Sequence, residues 1–322
     1  MRLRLVPAET NWDFFKIPAL TMGISALMVV VSVVLFFTMG LNYGIDFKGG
    51  TTIRTASEVA VDVGAYRDAI APLGLGDVSI TEVFDPTNPN QHVTQIRIEA
   101  QDGDEAITSD TVALIEKTLQ AYEPSIKFAA VESVGPKVSG ELIQTAIEAV
   151  IAAIVAVLFY IWLRFEWQFS LGAVIALVHD VTLTIGVFAL FQIKFDLSII
   201  AALLTIVGYS LNDTVVVFDR VRENLRKFKK LTLKDVLNLS INETLSRTVM
   251  TSVTTLIALI ALFVLGGDVI RDFVFAMIWG VIVGTYSSVF IASAILLRLG
   301  VKRDWSKKDP KDVGGQYAKI DA

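Results

Sequence analysis

Apolar residues fall in six runs, at 17–39, 143–163, 169–191, 197–218, 249–265 and 273–297. Each is near the ~20 residues that a helix needs to cross a bilayer core. The fifth is the shortest, and residues 245–248 extend it at one end. Arg2 and Arg4 precede the first run, as in a secretory signal, but its length and the lack of a small-x-small cleavage site favour an uncleaved anchor. Between the first and second runs the pattern changes to alternating strand-like and helix-like periods. Strands are expected at 45–55, 78–84, 93–99 and 127–132, helices at 61–73 and 109–122 with Ser109 as N-cap, and a turn at 85–90. The order β-α-β-β-α-β predicts a split βαβ, ferredoxin-like domain. The fold class is therefore a polytopic α-helical membrane protein of six transmembrane helices, with one α+β ferredoxin-like domain between spans one and two.

Composition agrees. Of 322 residues 53% are hydrophobic and 19% charged, the latter below the ~25% of ordinary globular chains. Without cysteine, disulfide frameworks, thiolate metal sites and thiol nucleophiles are excluded. The net charge of −5 matters chiefly through its distribution. Lys and Arg number eight between spans four and five and seven from Arg298 onward, whereas the two short loops of opposite sidedness hold only Lys194 and Arg271. By the positive-inside rule both termini are cytoplasmic and the 40–140 domain lies outside. The expected division is a cytoplasmic N-terminus at 1–16, a first span at 17–39, the outer domain at 40–140, a five-helix bundle portion at 141–298 with a basic cytoplasmic loop at 219–248, and a cytoplasmic tail at 299–322. The basic stretch 220–234 suits anionic membrane lipid rather than nucleic acid.

Charge inside a span costs at least about 2.5 kcal/mol at a helix centre, so each instance calls for a reason. Glu148, His179, Asp180 and Asp213 qualify, and Arg247 stands just before the fifth run. At 1.5 Å per residue, Asp213 is roughly 24 Å along the fourth span, a depth that Arg247 reaches from the opposite side on the next. A carboxylate and a guanidinium at one depth lower each other's burial cost, and separating them drives the carboxylate toward its neutral form. Such a pair binds and releases a proton as helices shift; the bland alternative is a permanent ion pair between two helices. Glu148, near its span's outer end, reads first as an interfacial carboxylate. His179 and Asp180 are equally explained by packing hydrogen bonds or by proton traffic. Tyr209, Ser210 and Asp213, with Asn212 beside them, form a polar face on the fourth span, and Arg247, Thr251, Thr254 and Thr255 a stripe on the fifth. Gly280 and Gly284 form a small-x-x-x-small packing contact. Gly49-Gly50 lacks the spacing of a nucleotide loop.

At these residues the chain resembles the SecD/SecF family of bacterial accessory translocase subunits, over nearly its whole length. The likeness begins at Gly44-Ile-Asp46-Phe47-Lys-Gly49-Gly50-Thr51 and continues through Val134-Gly-Pro136 and His179-Asp180. Its most specific stretch is Gly208-Tyr-Ser-Leu-Asn-Asp-Thr-Val-Val-Val-Phe-Asp-Arg-Val-Arg-Glu-Asn224, followed by Ser246-Arg-Thr248, Thr251-Ser252 and Gly284-Thr-Tyr-Ser-Ser288. The Tyr-Ser-x-Asn-Asp form is similar to the SecF members rather than to SecD. The resemblance implies the resistance-nodulation-division superfamily, with half of a pseudo-symmetric twelve-span bundle here and half in SecD. It implies a bacterial inner-membrane protein with a periplasmic domain, whose partners are SecD, the SecYEG channel, a translocating preprotein, YidC and YajC. It also implies use of the proton-motive force in a late, ATP-independent stage of export, with protons as the coupling ion, no metal and no other cofactor. The family's proton-path carboxylate and arginine fall on Asp213 and Arg247.

The competing classes fare worse. A proton-coupled small-molecule exporter of the same superfamily predicts larger outer domains and twelve spans. An intramembrane aspartyl protease using Asp180 and Asp213 predicts Gly-x-Gly before the second Asp, where this chain has Ser-Leu-Asn. The chain thus reads as no enzyme. A structural scaffold without proton flow is the serious rival.

Overall fold

A computed structural model describes residues 7, 10–76, 78–86, 90–100 and 107–301. The expected turn at 85–90 lies partly, and the tail at 299–322 mostly, outside them. Among the described residues six helices are long and apolar enough to cross a membrane. The first is α1 (Pro18–Met39), which ends where Gly40 turns at φ +66°. After it the chain forms a two-residue strand β1 (Asn42–Tyr43) and a single helical turn α2 (Ile45–Lys48). That turn replaces the first half of the expected strand. Its reason is local: Gly44 leads in from an extended conformation, Gly49 leaves at φ +76°, and the Phe47, Lys48 and Gly49 amides close back on Gly44 and Ile45.

The domain proper contains β2 (Gly50–Ser57), α3 (Val63–Ile70), β3 (Val78–Val83), β4 (His92–Glu99), α4 (Ser109–Tyr122) and β5 (Lys127–Val134). The sheet order β3-β4-β2-β5, all antiparallel, is that of the split βαβ arrangement. Ile53 lies opposite Ile96, and with Ile98 they pack against Tyr66 and Ile70 of α3 and Ile115 and Leu119 of α4. Asp62 caps α3 through the Ala65 amide. Thr108, not the expected Ser109, caps α4 through the Thr111 amide.

The remaining spans are α5 (Pro136–Arg164), α6 (Trp167–Phe191), α7 (Leu197–Lys227), α8 (Leu233–Leu265) and α9 (Asp268–Ser287), the last continuing through a π-helical turn (Ser288–Ala292) into α10 (Ser293–Leu299). A second short strand, β6 (Lys194–Phe195), pairs in parallel with β1. Helices α6, α7 and α9 form the centre of the bundle, while α1, α5 and α8 are mostly exposed. Helices α7 and α8 overrun their hydrophobic runs furthest, by nine and sixteen residues. Residues 219–227 and 233–248 are helical, because their apolar side chains pack on one another: Leu225, Val236, Leu237 and Ile241 share a cluster with Phe15, Phe165, Phe169 and Phe218. Thr232 and Asp235 open α8 with a reciprocal cap. The glycine stripe on α9 does what its spacing predicts: a Cβ on Gly280 would meet Ile206 at 2.3 Å, and one on Gly284 would meet Ser210 at 3.1 Å.

Candidate functional site: a carboxylate hub in the bundle

Asp180 is fully buried at the meeting point of the three central helices. Ser210 of α7 donates to its Oδ2 at 2.6 Å, and Ser287 of α9 donates to the same atom at 2.7 Å. On the other side His179 Nδ1 lies 2.9 Å from Oδ1. A buried carboxylate must find hydrogen-bond partners to offset the loss of water, and this one has them on both oxygens. Ser287 is the last residue before the π-helical turn, where the backbone register shifts by one. His179, itself buried, has an Nε2 without a partner. Its ring lies 6.3 Å from that of Tyr286, whose hydroxyl donates to the Thr21 carbonyl on α1.

Asp213 lies one turn beyond Ser210 on α7, is 3% exposed, and its Oδ2 has no hydrogen-bond partner. Arg247, on α8, is exposed, and among the described residues the two form no ion pair. They do stand within electrostatic reach of each other. The structure thus brings Asp180, His179 and Ser210 together, holds Asp213 close by, and leaves Arg247 near Asp213 but unpaired with it. Tyr209 is half-buried with an unpartnered hydroxyl, and Asn212 is exposed. Thr251 donates to the Thr248 carbonyl of its own helix, and Thr254 to those of Met250 and Thr251. The polar stripe of α8 that packs inward is the neighbouring one, Ser240, Thr244, Thr248 and Ser252, where Ser252 meets Thr285 of α9 at 2.7 Å. Glu148 is exposed on α5 and accepts from Gln144 at 2.8 Å, away from the hub. Sequence reasoning quoted Ser287 only within the Gly284–Ser288 stretch that carries the resemblance and gave it no role, because four polar residues in a row point to every side of a helix and do not show which one faces Asp180.

The glycine-rich turn is a structural joint. Gly44 donates to the Phe195 carbonyl at 2.7 Å, and Asp46 Oδ2 accepts from the Leu197 amide at 3.0 Å, adding a remote cap to α7 beside Asp196. Phe47 packs with Tyr43 and Phe195. Gly50 sits at φ +127°, and a Cβ there would be 2.4 Å from the Ile98 carbonyl oxygen. Arg97 donates to the Tyr43 carbonyl and so ties the sheet to the joint. Burial draws its guanidinium below the ordinary value, against the opposing pull of Glu99, Asp46 and Asp196. At the other edge, Phe84 and Asp268 bind each other: the Phe84 amide donates to Asp268 Oδ2 at 2.6 Å, and the Asp268 amide to the Phe84 carbonyl at 3.3 Å. Among the described residues no group of His, Asp and Glu could hold a metal ion.

Comparison with known proteins places this geometry. The family described as protein export membrane protein SecD/SecF, C-terminal, matches residues 114–302, and the SecD/SecF GG motif matches residues 34–61. The protein translocase subunit SecF of Cereibacter sphaeroides is 61% identical over 322 residues, covering 100% of this chain and 99% of its own length. That of Rhodobacter capsulatus is 59% identical over 97% of this chain and 96% of its own length, and that of Rickettsia rickettsii 40% identical over 95% and 97%. Among solved structures, SecDF of Thermus thermophilus, described as a translocon-associated membrane protein, superposes at a TM-score of 0.80 with 34% identity. The match covers 93% of this chain but 40% of that one. SecDF in a super-membrane-facing form gives a TM-score of 0.65 at 37% identity, covering 92% of this chain and again 40% of the other.

Proposed function

Because the chain belongs to the SecD/SecF family of protein export membrane proteins, as a SecF subunit, we propose that it joins a SecD-type partner and uses the proton-motive force to drive a late, ATP-independent stage of preprotein export. In this reading it resides in the bacterial inner membrane with both termini cytoplasmic and residues 40–140 periplasmic. The SecYEG channel, the emerging preprotein, YidC and YajC are its further partners, and protons are its only coupling ion. The exposed faces of α1, α5 and α8 support a partner bundle. An exposed Arg247 beside long apolar stretches is costly in lipid and is relieved when another protein covers it.

The observation that carries the reading is Asp213. Its carboxylate is buried with one oxygen unpartnered, next to an Asp180 whose two oxygens both have partners, while Arg247 stands near but unpaired. In this reading Asp180 is held by its hydrogen bonds and Asp213 is the proton carrier. Movement of one charge across the membrane potential supplies about 2.3 kcal/mol per 100 mV. That is enough to bias a bundle with two arrangements of similar energy. Helix α9 is suited to transmit the change: one end is held at Asp180 through Ser287, and the other at the outer domain through Asp268 and Phe84.

The test uses inverted membrane vesicles carrying this chain with its SecD-type partner, wild type against Asp213→Asn. Completion of preprotein translocation is followed after ATP removal, with and without a gradient. Loss of the gradient-driven part in a normally assembled variant supports the motor. Wild-type behaviour makes Asp213 structural and the chain a scaffold of the translocon.

A further inference from the structure

At the end of the bundle where α5 turns into α6, an open cavity of about 650 Å³ is lined by Arg164, Asp219, Arg222, Glu223, Arg226 and Lys227. Both acids are already engaged: Asp219 pairs with Arg164 at 3.3 Å, and Glu223 with Arg220 at 2.8 Å. Arg222 has no acidic partner among the described residues. Its Nη1 donates to the Arg164 carbonyl at 3.0 Å, which fixes the direction of the guanidinium. The Arg164 and Arg222 guanidinium carbons lie 5.7 and 5.4 Å from the centroid of the Phe165 ring, so one buried aromatic holds two cations beside each other. Arg226 likewise has no acidic partner among the described residues, and the Lys227 ammonium lies over Phe228 rather than on a carboxylate. The cavity therefore holds an excess of oriented positive charge, which is unfavourable until an anion joins it.

A second observation fixes the depth. Trp162 and Trp167 flank this corner and are 60% and 56% exposed. Tryptophans exposed at the ends of apolar helices sit at headgroup level, where the ring is in acyl chain and the N–H is wet. Below them Phe159 and Leu163 of α5 present an exposed apolar surface. A phosphate within reach of Arg222, Arg226 and Lys227 would leave its acyl chains against that surface.

We propose that this cavity binds the phosphate headgroup of an anionic phospholipid. Arg222 supplies a directed fork for the phosphate oxygens, and Arg226 and Lys227 supply the remaining charge. The site differs from a diffuse attraction of basic residues to the membrane surface, because the Arg164 carbonyl and the Phe165 ring hold Arg222, and the Phe228 ring holds Lys227, in place without lipid.

The full chain in detergent micelles is incubated with phosphatidylglycerol or phosphatidylcholine, and retained lipid is counted by native mass spectrometry. The variants are R222Q/R226Q/K227Q and, as a control that removes the same charge, K302Q/R303Q/K307Q in the tail. Expected is preferential retention of phosphatidylglycerol by wild type and by the tail variant, with a fall of at least about tenfold in the cavity variant. Equal losses in both variants would mean diffuse electrostatics and overturn the site. Inorganic phosphate in excess is a further arm: persistence of the lipid supports a headgroup anchored by its chains, whereas full displacement makes the cavity a free-phosphate site and overturns the lipid assignment. R222K, which keeps the charge and the fold but loses the fork, is expected to retain less phosphatidylglycerol than wild type. Unchanged retention in R222K would remove Arg222 from the proposed site.

Discussion

Ser210 and Ser287, from two different helices, donate to the same oxygen of Asp180 at 2.6 and 2.7 Å. One carboxylate on α6 thereby fixes the positions of α7 and α9, and the free carboxylate of Asp213 hangs from the fixed part of α7 only three residues away. A shift of α7 therefore either moves Asp213 together with Ser210 or breaks the bond to Asp180.

Removal of either hydroxyl leaves Asp180 Oδ2 with a single donor. Ser210→Ala or Ser287→Ala is expected to cost about 1–3 kcal/mol, the range for a buried polar group that loses a hydrogen-bond partner. The double variant should differ from the sum of the two, since both act on one atom. Thermal unfolding in detergent, followed by tryptophan fluorescence, checks both statements. Additive and negligible shifts would mean that the hub does not hold the bundle.

Asp46 accepts from the Leu197 amide at the first turn of α7, although the two are 151 positions apart. Asp46→Ala should cost about 1 kcal/mol, as other lost caps do. The loss should be local, because Asp196 still caps the Ser198 amide. Hydrogen exchange at the first turn of α7 is expected to quicken while the hub region keeps its protection. Faster exchange throughout α7 would contradict a local role.

Much of this architecture was legible in the pattern of apolar positions, since length and apolarity alone decide what can cross a bilayer. The order of strands and helices in the α+β domain was equally legible, because alternation of period two against period 3.6 survives without tertiary contacts. What the pattern hid depends on long-range partners. The turn at Ile45–Lys48 reads as a strand from its residues, and it is helical because flanking glycines and the β6 carbonyl at Phe195 hold it so. The inward face of α8 is also invisible in sequence: a stripe through Arg247 and Thr251 looks as polar as the one through Thr248 and Ser252, and only the position of Thr285 on α9 decides between them. Asp213 and Asp180 were both visible as costly charges, but their different surroundings were not.

The approach of α1 to α6 depends on Gly186, where a Cβ would stand 2.2 Å from Ser32 Oγ and 2.7 Å from Ser32 Cα. Gly186→Ala should push the two helices apart and destabilise the chain by about 1–3 kcal/mol, as overpacking does. Ser32→Gly in the same chain is expected to restore part of the loss, since it removes the hydroxyl and Cβ but not the backbone. The melting temperatures of the two single variants and the double variant settle the matter; a double variant no better than Gly186→Ala would show that Ser32 is not the obstacle.

The paired hydrogen bonds of Phe84 and Asp268 make the start of α9 a second link between the α+β domain and the bundle, beside the joint at Gly44–Gly50. Gly267 reinforces it, since its φ of +76° places the backbone where a Cβ would be 2.7 Å from Pro86. Asp268→Ala removes the acceptor of the Phe84 amide while leaving the hub at Ser287 intact, so the helix keeps its inner anchor and loses its outer one. The domain core, built on Ile53, Ile96 and Ile115, does not involve this contact and should stay folded. Exchange at the Phe84 amide should therefore rise while β2 and β4 stay protected. If α9 carries the motion outward, the variant should also lose several-fold in gradient-driven translocation, with its assembly and ATP-driven step unchanged. Faster exchange at Phe84 with full gradient-driven activity would break the link between this contact and export, and would leave the Gly44–Gly50 joint and the passage from β5 into α5 as the remaining connections between domain and bundle.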